Sequence, residues 1–277
     1  MTTTKAAAPA TARAGGEPTR AWWERVLRNR WTLRGAGLVV ILGLWEYFLG
    51  PSRVAPILAA PPSAVLKAIP EVVTDPLFLP ALLNTLQLFA LGVVISLVLG
   101  VFLGFLLARV RVLDTALSPY VNALYAAPLP ALVPIITAIF GYLLEAKLII
   151  VVLLGVFPIL INANQGAKDA DVTLIEVAHS FGADERRVWR DVIFPFSVPY
   201  LLVGARLSAA RALIGTVVAE IYASPSGLGY LIITYGSRFN MDSMLVVVLT
   251  FTLMGLLLSF GVSLIGRTLV PWRVSLQ

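Results

Sequence analysis

Residues 168–199, KDADVTLIEVAHSFGADERRVWRDVIFPFSVP, form one long polar segment between strongly apolar stretches. Thr173 and Glu176 have the spacing of a capping box at a helix start, and Gly182 stands where a left-handed residue would end that helix. Asp184 is placed to cap a second helix, which Pro195 is expected to end. The first helix has an apolar side made of Leu174, Ile175, Val177, Ala178 and Phe181. The segment thus consists of two predicted helices joined by a glycine, and it lies between two apolar stretches long enough to cross a membrane. Such a segment is suited to contact a partner outside the membrane.

The composition indicates a membrane protein that crosses the bilayer several times. The 277 residues are 58% hydrophobic and 13% charged, whereas a soluble domain is about 45–50% apolar and about 25% charged. The chain has no cysteine and one histidine, His179, so disulfides and Cys- or His-built metal sites are not expected. The net charge of +6 does not indicate nucleic-acid binding, because no basic stripe is interleaved with aromatic residues.

Six apolar stretches approach or exceed the ~20 residues that cross a bilayer. They are residues 33–49, 81–108, 116–144, 148–167, 199–223 and 244–265. Glu46 interrupts the first near its far end, and four prolines lie in the third. We divide the chain into an N-terminal region, 1–34, and a transmembrane domain, 35–277. Residues 1–20 are predicted to be disordered, and the tryptophans of residues 22–31 predict either an amphipathic helix at the membrane face or anchors of the first span.

The distribution of positive charge predicts the orientation in the membrane. If both termini are cytoplasmic, 17 of the 21 Lys and Arg residues fall on the cytoplasmic side. The other four are Arg53, Lys67, Lys147 and Arg238. Because cytoplasmic loops carry an excess of Lys and Arg, both termini and the polar segment are expected to face the cytoplasm.

Polar residues and prolines within the spans favour a transport function. Irregular backbone at membrane depth is tolerated where it is buried in protein or lines a water-filled cavity. The candidates for a substrate path are Asn84, Gln87, Tyr125, Asn162, Asn164, Gln165 and Glu220. Each could instead hydrogen-bond between helices, Glu220 could reach the membrane interface, and Arg211 could extend its side chain to the cytoplasmic face. Gly100 and Gly104 form a GxxxG pattern that would allow close helix packing.

The sequence does not indicate an enzyme. No Ser–His pair, aspartate pair or zinc motif of an intramembrane protease occurs at membrane depth. No GxxxxGK[ST] loop is present to bind ATP. We therefore expect no catalytic, cofactor-binding or metal site in this chain. Two other classes stay open: a secondary transporter or channel, for which we find no internal repeats, and a membrane scaffold or sensor.

The polar segment resembles the EAA loop of ABC-importer permeases. That loop reads Glu-Ala-Ala, three residues, Gly, nine residues, then Ile-x-Leu-Pro. Here Glu176-Val177-Ala178, Gly182 and 192–195 (VIFP) have the same spacing, with apolar replacements at Val177, Val192 and Phe194.

Further stretches resemble the nitrate/sulfonate/taurine branch of these permeases, and the likeness covers residues 61–267. They are Pro61–Val65, Asn122–Pro128, Phe157-Pro158, Gly204–Leu207 and Gly227–Ile232. The chain departs from the branch at 140–143 (FGYL), where relatives often carry Trp-Phe-Gly-x-Gly. This departure leaves the substrate open.

The resemblance implies an all-α, six-span fold of the type I importer class, similar to the methionine importer, in the bacterial inner membrane. It implies a dimer of permeases, a cytoplasmic dimer of ABC ATPases that bind ATP and Mg, and an extracytoplasmic solute-binding protein. The implied coupling residues are Glu176, Ala178 and Gly182 in the coupling loop, 171–195, with Asp184, Arg186 and Arg187 pairing across the ATPase interface. The charged residues could instead belong to an ordinary solvated loop.

The implied substrate is a sulfonate- or nitrate-type anion or a heterocycle like a vitamin precursor. Lys147 and Arg238 alone are few cations for the outer half of the spans. This scarcity favours an uncharged or zwitterionic organic solute.

Overall fold

A computed structural model describes residues 30–50, 59–223 and 226–269, and these residues form helices and connections without a strand. The all-α prediction is confirmed. The predictions for residues 1–29 lie outside the described residues, and Arg30–Arg34 belong to the first helix. The helices are α1 Arg30–Leu49, α2 Pro62–Thr74, α3 Phe78–Arg109, α4 Arg111–Ala126, α5 Val133–Phe140, α6 Leu144–Lys168, α7 Val172–Ser180, α8 Glu185–Val188, α9 Phe194–Tyr222, α10 Leu228–Ser237 and α11 Met241–Leu269.

Five helices in the described part are long and apolar enough to cross a membrane, and a bent pair makes a sixth span if it is counted as one. The pair is Arg111–Ala126 with Leu129–Phe140, bent by 89°. The third stretch, predicted as one span over 116–144, is thus broken. Pro128 lies at the break, and Pro130 and Pro134 lie in the first turns of the short helices that follow, because proline cannot donate within a continuous helix.

The centre of the molecule is α6, which packs against α3 on one side and α9 on the other. Small residues allow this close approach. A Cβ at Gly104 of α3 would lie 2.5 Å from the carbonyl oxygen of Leu160, and one at Gly204 of α9 would lie 2.8 Å from the Cβ of Asn162. The predicted close packing at the GxxxG pattern is confirmed. Ser208 of α9 adds an interhelical hydrogen bond to the backbone oxygen of Gly155, at 2.7 Å.

Two helices that the span pattern did not predict, α2 and α10, cover one end of this helix bundle. Their apolar sides, including Val65 and Leu228, pack with α11 in one buried cluster. Glu46 does not interrupt α1, which continues to Leu49. Its carboxylate accepts hydrogen bonds from the Ser63 amide, at 3.0 Å, and the Ser63 hydroxyl, at 2.7 Å. The carboxylate therefore caps α2, where the N-terminal end of the helix dipole favours a negative charge.

A polar contact attaches α10 to the turn between α2 and α3. The hydroxyl of Tyr235 donates a hydrogen bond to Asp75, at 3.0 Å. Burial, together with this bond and the negative charge of Asp75, raises the pKa of Tyr235 to about 12. Tyr235 therefore remains a neutral donor throughout the physiological pH range.

The contact of α3 with α6 predicts that Gly104→Ala lowers the free energy of unfolding by roughly 1–3 kcal/mol, because the added methyl overpacks the interface. The control is Gly37→Ala in α1, where an added Cβ meets nothing within 4 Å. Both variants gain the same helix propensity. Denaturant unfolding in mixed micelles measures the difference, and equal stability of the two variants would contradict this packing.

Candidate functional site

The polar segment folds as two capped helices around a left-handed glycine. The Asp171 side chain accepts a hydrogen bond from the Thr173 amide at 2.8 Å, so the prediction that Thr173 caps the helix was wrong. Asp171 precedes the helix in extended conformation and reaches the free amide, whereas Thr173 already lies inside it. Gly182 has φ +78°, as predicted, and Asp184 caps α8 by accepting from the Arg187 amide at 3.0 Å.

Only part of the predicted apolar side of α7 packs inward. Ile175 and Ala178 contact a buried cluster made of Ala167, Ala170, Val188 and Ile193. Leu174 and Val177 are exposed, and Phe181 is 88% exposed. Leu174 and Val177 on one side of α7, with Phe181 just after its end, form an exposed apolar surface that we call the α7 patch.

The predicted coupling residues lie together around this patch. Glu176 and Gly182 are exposed, and Ala178 is half-buried. Asp184, Arg186 and Arg187 are exposed and line a cleft of about 620 Å³. The remaining lining residues are Phe105, Trp189, Arg190 and Phe194. The segment thus combines an apolar patch with a charged cleft.

Pro195 does not end the second helix, so that prediction was wrong. A π-helical turn, Trp189–Ile193, joins α8 to α9, and the Phe194 amide donates to the carbonyl of Trp189, five residues back. The wider turn is the local adjustment by which a helix accommodates a proline that cannot donate. The result is a continuous helix of 38 residues, Glu185–Tyr222, that connects the α7 patch to the opposite end of the molecule.

Glu220 lies at that opposite end, 1% exposed. The Thr85 hydroxyl lies 2.8 and 2.9 Å from its two carboxylate oxygens, and the Gly229 amide donates to it at 2.9 Å. The Leu228 amide donates to the Thr85 oxygen at 2.8 Å. We call these four residues the Glu220 cluster. It joins α3, α9 and the first turn of α10, where N–H groups without a partner inside the helix favour a carboxylate.

Asn84 and Gln87, one turn apart on α3, line a cavity of about 200 Å³ near this cluster. Its other lining residues are Leu88, Leu144, Lys147 and Ser226. Lys147 is 9% exposed, and its ammonium donates to the Ser226 hydroxyl at 2.8 Å. We call this site the Lys147 cavity.

The other predicted path residues do not join this cavity. Tyr125 lies under the Arg211 guanidinium, with the Cζ atom 5.5 Å from the ring centre. Asn162 donates to the Pro158 carbonyl at 2.8 Å. Asn164 and Gln165 lie about 25 Å along α6 from Lys147. Gln165 donates to Asp169 at 2.7 Å.

Asn164 belongs to a polar contact between α4 and α6. It donates to Asp114 at 3.0 Å, and Ser118 donates to the same carboxylate oxygen at 2.7 Å. The Lys168 ammonium lies 2.6 Å from that oxygen.

Sequence reasoning did not select Thr85 or Asp114 and counted Lys147 only as an outer cation. Thr85 carried a usable signal, since a polar side chain within an apolar stretch must find a partner, whereas Lys147 lies between the stretches 116–144 and 148–167. Asp114 lies before the predicted third span and carried no such signal. Their partners are 135, 79 and 50 residues distant, so periodicity could not pair them.

Comparison with known proteins identifies the class. Residues 96–274, more than half of the chain, match the binding-protein-dependent transport system inner membrane component family. The chain therefore belongs to that family, and it is a multi-pass membrane permease.

Two relatives extend this likeness over most of the chain. The formylaminopyrimidine transport permease protein ThiX of Halalkalibacterium halodurans is 28% identical over 85% of this chain and 93% of its own length. The putative aliphatic sulfonates transport permease protein SsuC of Bacillus subtilis is 28% identical over 86% of both. The two names differ in substrate, so the relatives agree on transport and leave the solute open.

A solved structure supports the predicted architecture. A chain of the inward-facing methionine ABC transporter MetNI has a TM-score of 0.62 at 21% identity, covering 71% of this chain and 99% of its own. The predicted importer-type transmembrane fold is confirmed.

The Glu220 cluster predicts that Thr85→Val speeds amide hydrogen exchange in Leu228–Tyr235 by roughly 10- to 100-fold, because it leaves a buried amide without an acceptor. Thr216→Val is the matched control. Both threonines are 0% exposed, but Thr216 bonds to the Ala212 carbonyl of its own helix. Equal exchange rates in α10 for the two variants would show that the cluster does not hold this helix.

Proposed function

We propose that this chain is the membrane-spanning subunit of an ATP-driven importer. Two copies form the path for a small solute, and separate cytoplasmic ATPase subunits bind the polar segment and hydrolyse ATP with Mg. A binding protein delivers the solute at the opposite, extracytoplasmic face. The observation that carries the proposal is the α7 patch beside a charged cleft, held by two capped helices in a family of binding-protein-dependent permeases.

The α7 patch has the properties of a docking surface. Phe181 is a large, exposed aromatic side chain in a segment that also offers Asp184, Arg186 and Arg187. Aromatic anchors with a polar rim are typical of the residues that dominate binding energy at protein interfaces. Gly182 ends the exposed helix in a left-handed conformation, and the exposed carboxylate of Glu176 adds to the polar rim.

The helical connections offer a route from ATPase to solute. Val188 and Ile193, on α8 and the π turn, pack against Ile175 and Ala178 of α7. A displacement of α7 is therefore transmitted to the continuous helix Glu185–Tyr222. That helix packs along α6 and carries Glu220 near its far end. ATP-driven movement of the docked subunits would change the path between inward- and outward-facing states in this way.

The predicted path residues lie in two groups along that route. Asn84, Gln87 and Glu220 lie at the far end, and Asn162, Asn164 and Gln165 lie toward the polar segment. Tyr125 contacts the guanidinium of Arg211 on the continuous helix. These residues are proposed to contact the solute in passage or to hold the helices that do. The solute is a sulfonate- or nitrate-type anion or a small heterocycle, as the family resemblance implies, and the two relatives named above are described for a sulfonate and a pyrimidine.

The first test replaces Gly182 by Trp. The residue has φ +78° with open space around it, so a side chain strains the turn and obstructs the docking surface. We expect loss of ATPase copurification and of solute-stimulated ATP hydrolysis. Gly141→Trp is the matched control, because Gly141 has φ +75° and equally open surroundings away from the polar segment. Normal coupling in the Gly182 variant would overturn the assignment.

A second test places a charge in the α7 patch. Phe181→Asp is expected to weaken ATPase binding by roughly 30-fold or more, the loss typical of an interface hot spot, without affecting folding. Phe239→Asp is the control, since Phe239 is also exposed but lies before α11 near Arg238. Surface-immobilised permease in nanodiscs measures the affinity. An unchanged affinity for the Phe181 variant would remove the patch from the interface.

Uptake by proteoliposomes separates this function from a secondary transporter or channel. We expect uptake only with the ATPase and ATP present. Solute accumulation by the permease alone would contradict the proposal.

A further inference from the structure

We infer that the Lys147 cavity binds the acidic head group of the transported solute, a sulfonate or carboxylate, and so selects an anionic or zwitterionic substrate. This inference rests on the proposed import function and assigns it a recognition site. Of the two solute types that the sequence favoured, it keeps the zwitterionic solute and disfavours the uncharged one.

The first observation is the position of the Lys147 ammonium. The side chain is 9% exposed yet borders a cavity of about 200 Å³. Among the described residues its hydrogen-bond acceptor is the neutral hydroxyl of Ser226, at 2.8 Å. An ammonium has three N–H donors. Lys147 is therefore a buried cation with donor capacity directed at a cavity.

The second observation is that no carboxylate among the described residues forms an ion pair with Lys147. The ion pairs within the described residues are Lys168 with Asp114, His179 with Glu185, and Arg190 with Asp191. The nearby carboxylate of Glu220 already has Thr85 and Gly229 as hydrogen-bond partners and does not line the cavity. Glu145 is exposed and does not line it either. A buried charge without a close counter-ion is costly, and a bound anion would reduce that cost.

The third observation is that a helix N-terminus and two side-chain amides lie beside Lys147 at the cavity. Lys147 lies in the first turns of α6, where the helix dipole is positive and disfavours a lysine. The positive potential of this helix end adds to that of the ammonium, and the carboxylates of Glu220 and Glu145, which oppose it, lie outside the cavity lining. Asn84 and Gln87 are exposed at the rim of the cavity, and each amide has two N–H donors. A sulfonate or carboxylate can accept hydrogen bonds from the ammonium and both amides.

The size of the cavity sets the class of ligand. About 200 Å³ corresponds to roughly six or seven water molecules at ~30 Å³ each. This space holds one acidic group with a few carbon atoms. A single cation with two amides matches one acidic group and not a polyanion.

The test uses the full chain in lipid nanodiscs with methanesulfonate as the probe and dimethyl sulfone as its neutral counterpart. Saturation-transfer NMR titrations give both affinities. We expect saturable methanesulfonate binding and at least tenfold weaker binding of the sulfone, because a charge-assisted hydrogen bond is lost. No saturable binding of methanesulfonate, or equal binding of the two probes, would overturn the inference.

Two lysine variants locate the site. Lys147→Met is expected to weaken methanesulfonate binding at least tenfold. Lys67→Met removes the same charge from an exposed position on α2 and is expected to leave the affinity unchanged. An equal loss in both variants would indicate a diffuse positive potential, and an unchanged affinity in Lys147→Met would place the anion elsewhere. Either result would overturn the inference.

An additional variant keeps the inference testable if Lys147→Met does not fold. The double variant Asn84→Leu, Gln87→Leu retains the lysine and changes only the exposed rim. Weaker methanesulfonate binding in this variant supports the cavity, and unchanged binding overturns it.

The binding measurement is independent of coupling. Gly182→Trp should bind methanesulfonate normally while it loses the ATPase response. If anion binding fails and ATPase coupling persists, the recognition site is wrong and the import function stands. If anion binding is observed but uptake needs no ATPase, the import mechanism is wrong and the site stands.

Discussion

The close contact of α6 with α3 and α9 is the constraint on which the rest of the structure depends. Lipid is as apolar as the side chains, so helices in a membrane associate through packing and interhelical hydrogen bonds rather than through a hydrophobic driving force. Gly92, Gly104, Gly155 and Gly204 leave no room for a Cβ at these contacts. The Ser208 hydroxyl adds a direct bond to the backbone of α6. Because these three helices are fixed against each other, the two polar ends of the molecule keep a defined separation.

The two ends use polar groups in different ways. At the Glu220 cluster a buried carboxylate and a buried hydroxyl satisfy the free amides of α10, so the polar atoms serve the fold. In the Lys147 cavity, the Lys147 ammonium has one hydrogen-bond partner among the described residues, the hydroxyl of Ser226. At the polar segment Phe181 and the charged residues near it are exposed, although the surrounding helices are firmly capped. A docking surface and a recognition site both require ordered groups that the protein itself does not satisfy.

The continuous helix Glu185–Tyr222 relates these ends mechanically. A regular α-helix would be interrupted at Pro195. Such a break in the helix would uncouple the polar segment from the membrane spans. The π turn at Trp189–Ile193 instead retains a hydrogen bond from Phe194 and makes space for the proline. The π turn thereby keeps the helix continuous over the 38 residues from the polar segment to Glu220 and Tyr222.

The sequence by itself determined the fold class, most of the spans, the glycine turn at Gly182 and the cap at Asp184. These features depend on hydrophobic length and on backbone preferences that are local along the chain. Local spacing misplaced the other cap, because Asp171 and Thr173 are both capping residues and only the path of the chain from Asp169 selects between them. Local spacing also failed at Pro195. The π turn before this proline depends on how α8 and α9 are held by the rest of the structure, which the sequence pattern does not show.

Only the tertiary structure decided which polar residues share a site. Thr85 and Glu220 are 135 residues apart, and Lys147 and Ser226 are 79 residues apart. Hydropathy treats Thr85 and Glu220 as isolated costs within apolar stretches and places Lys147 and Ser226 in the connections between such stretches. The small residues that bring α3, α6 and α9 into contact turn one of these pairs into a structural cluster and place the other at a cavity. The physical reason is that a buried charge acquires its role from its neighbours across helices, and those neighbours are set by packing rather than by sequence distance.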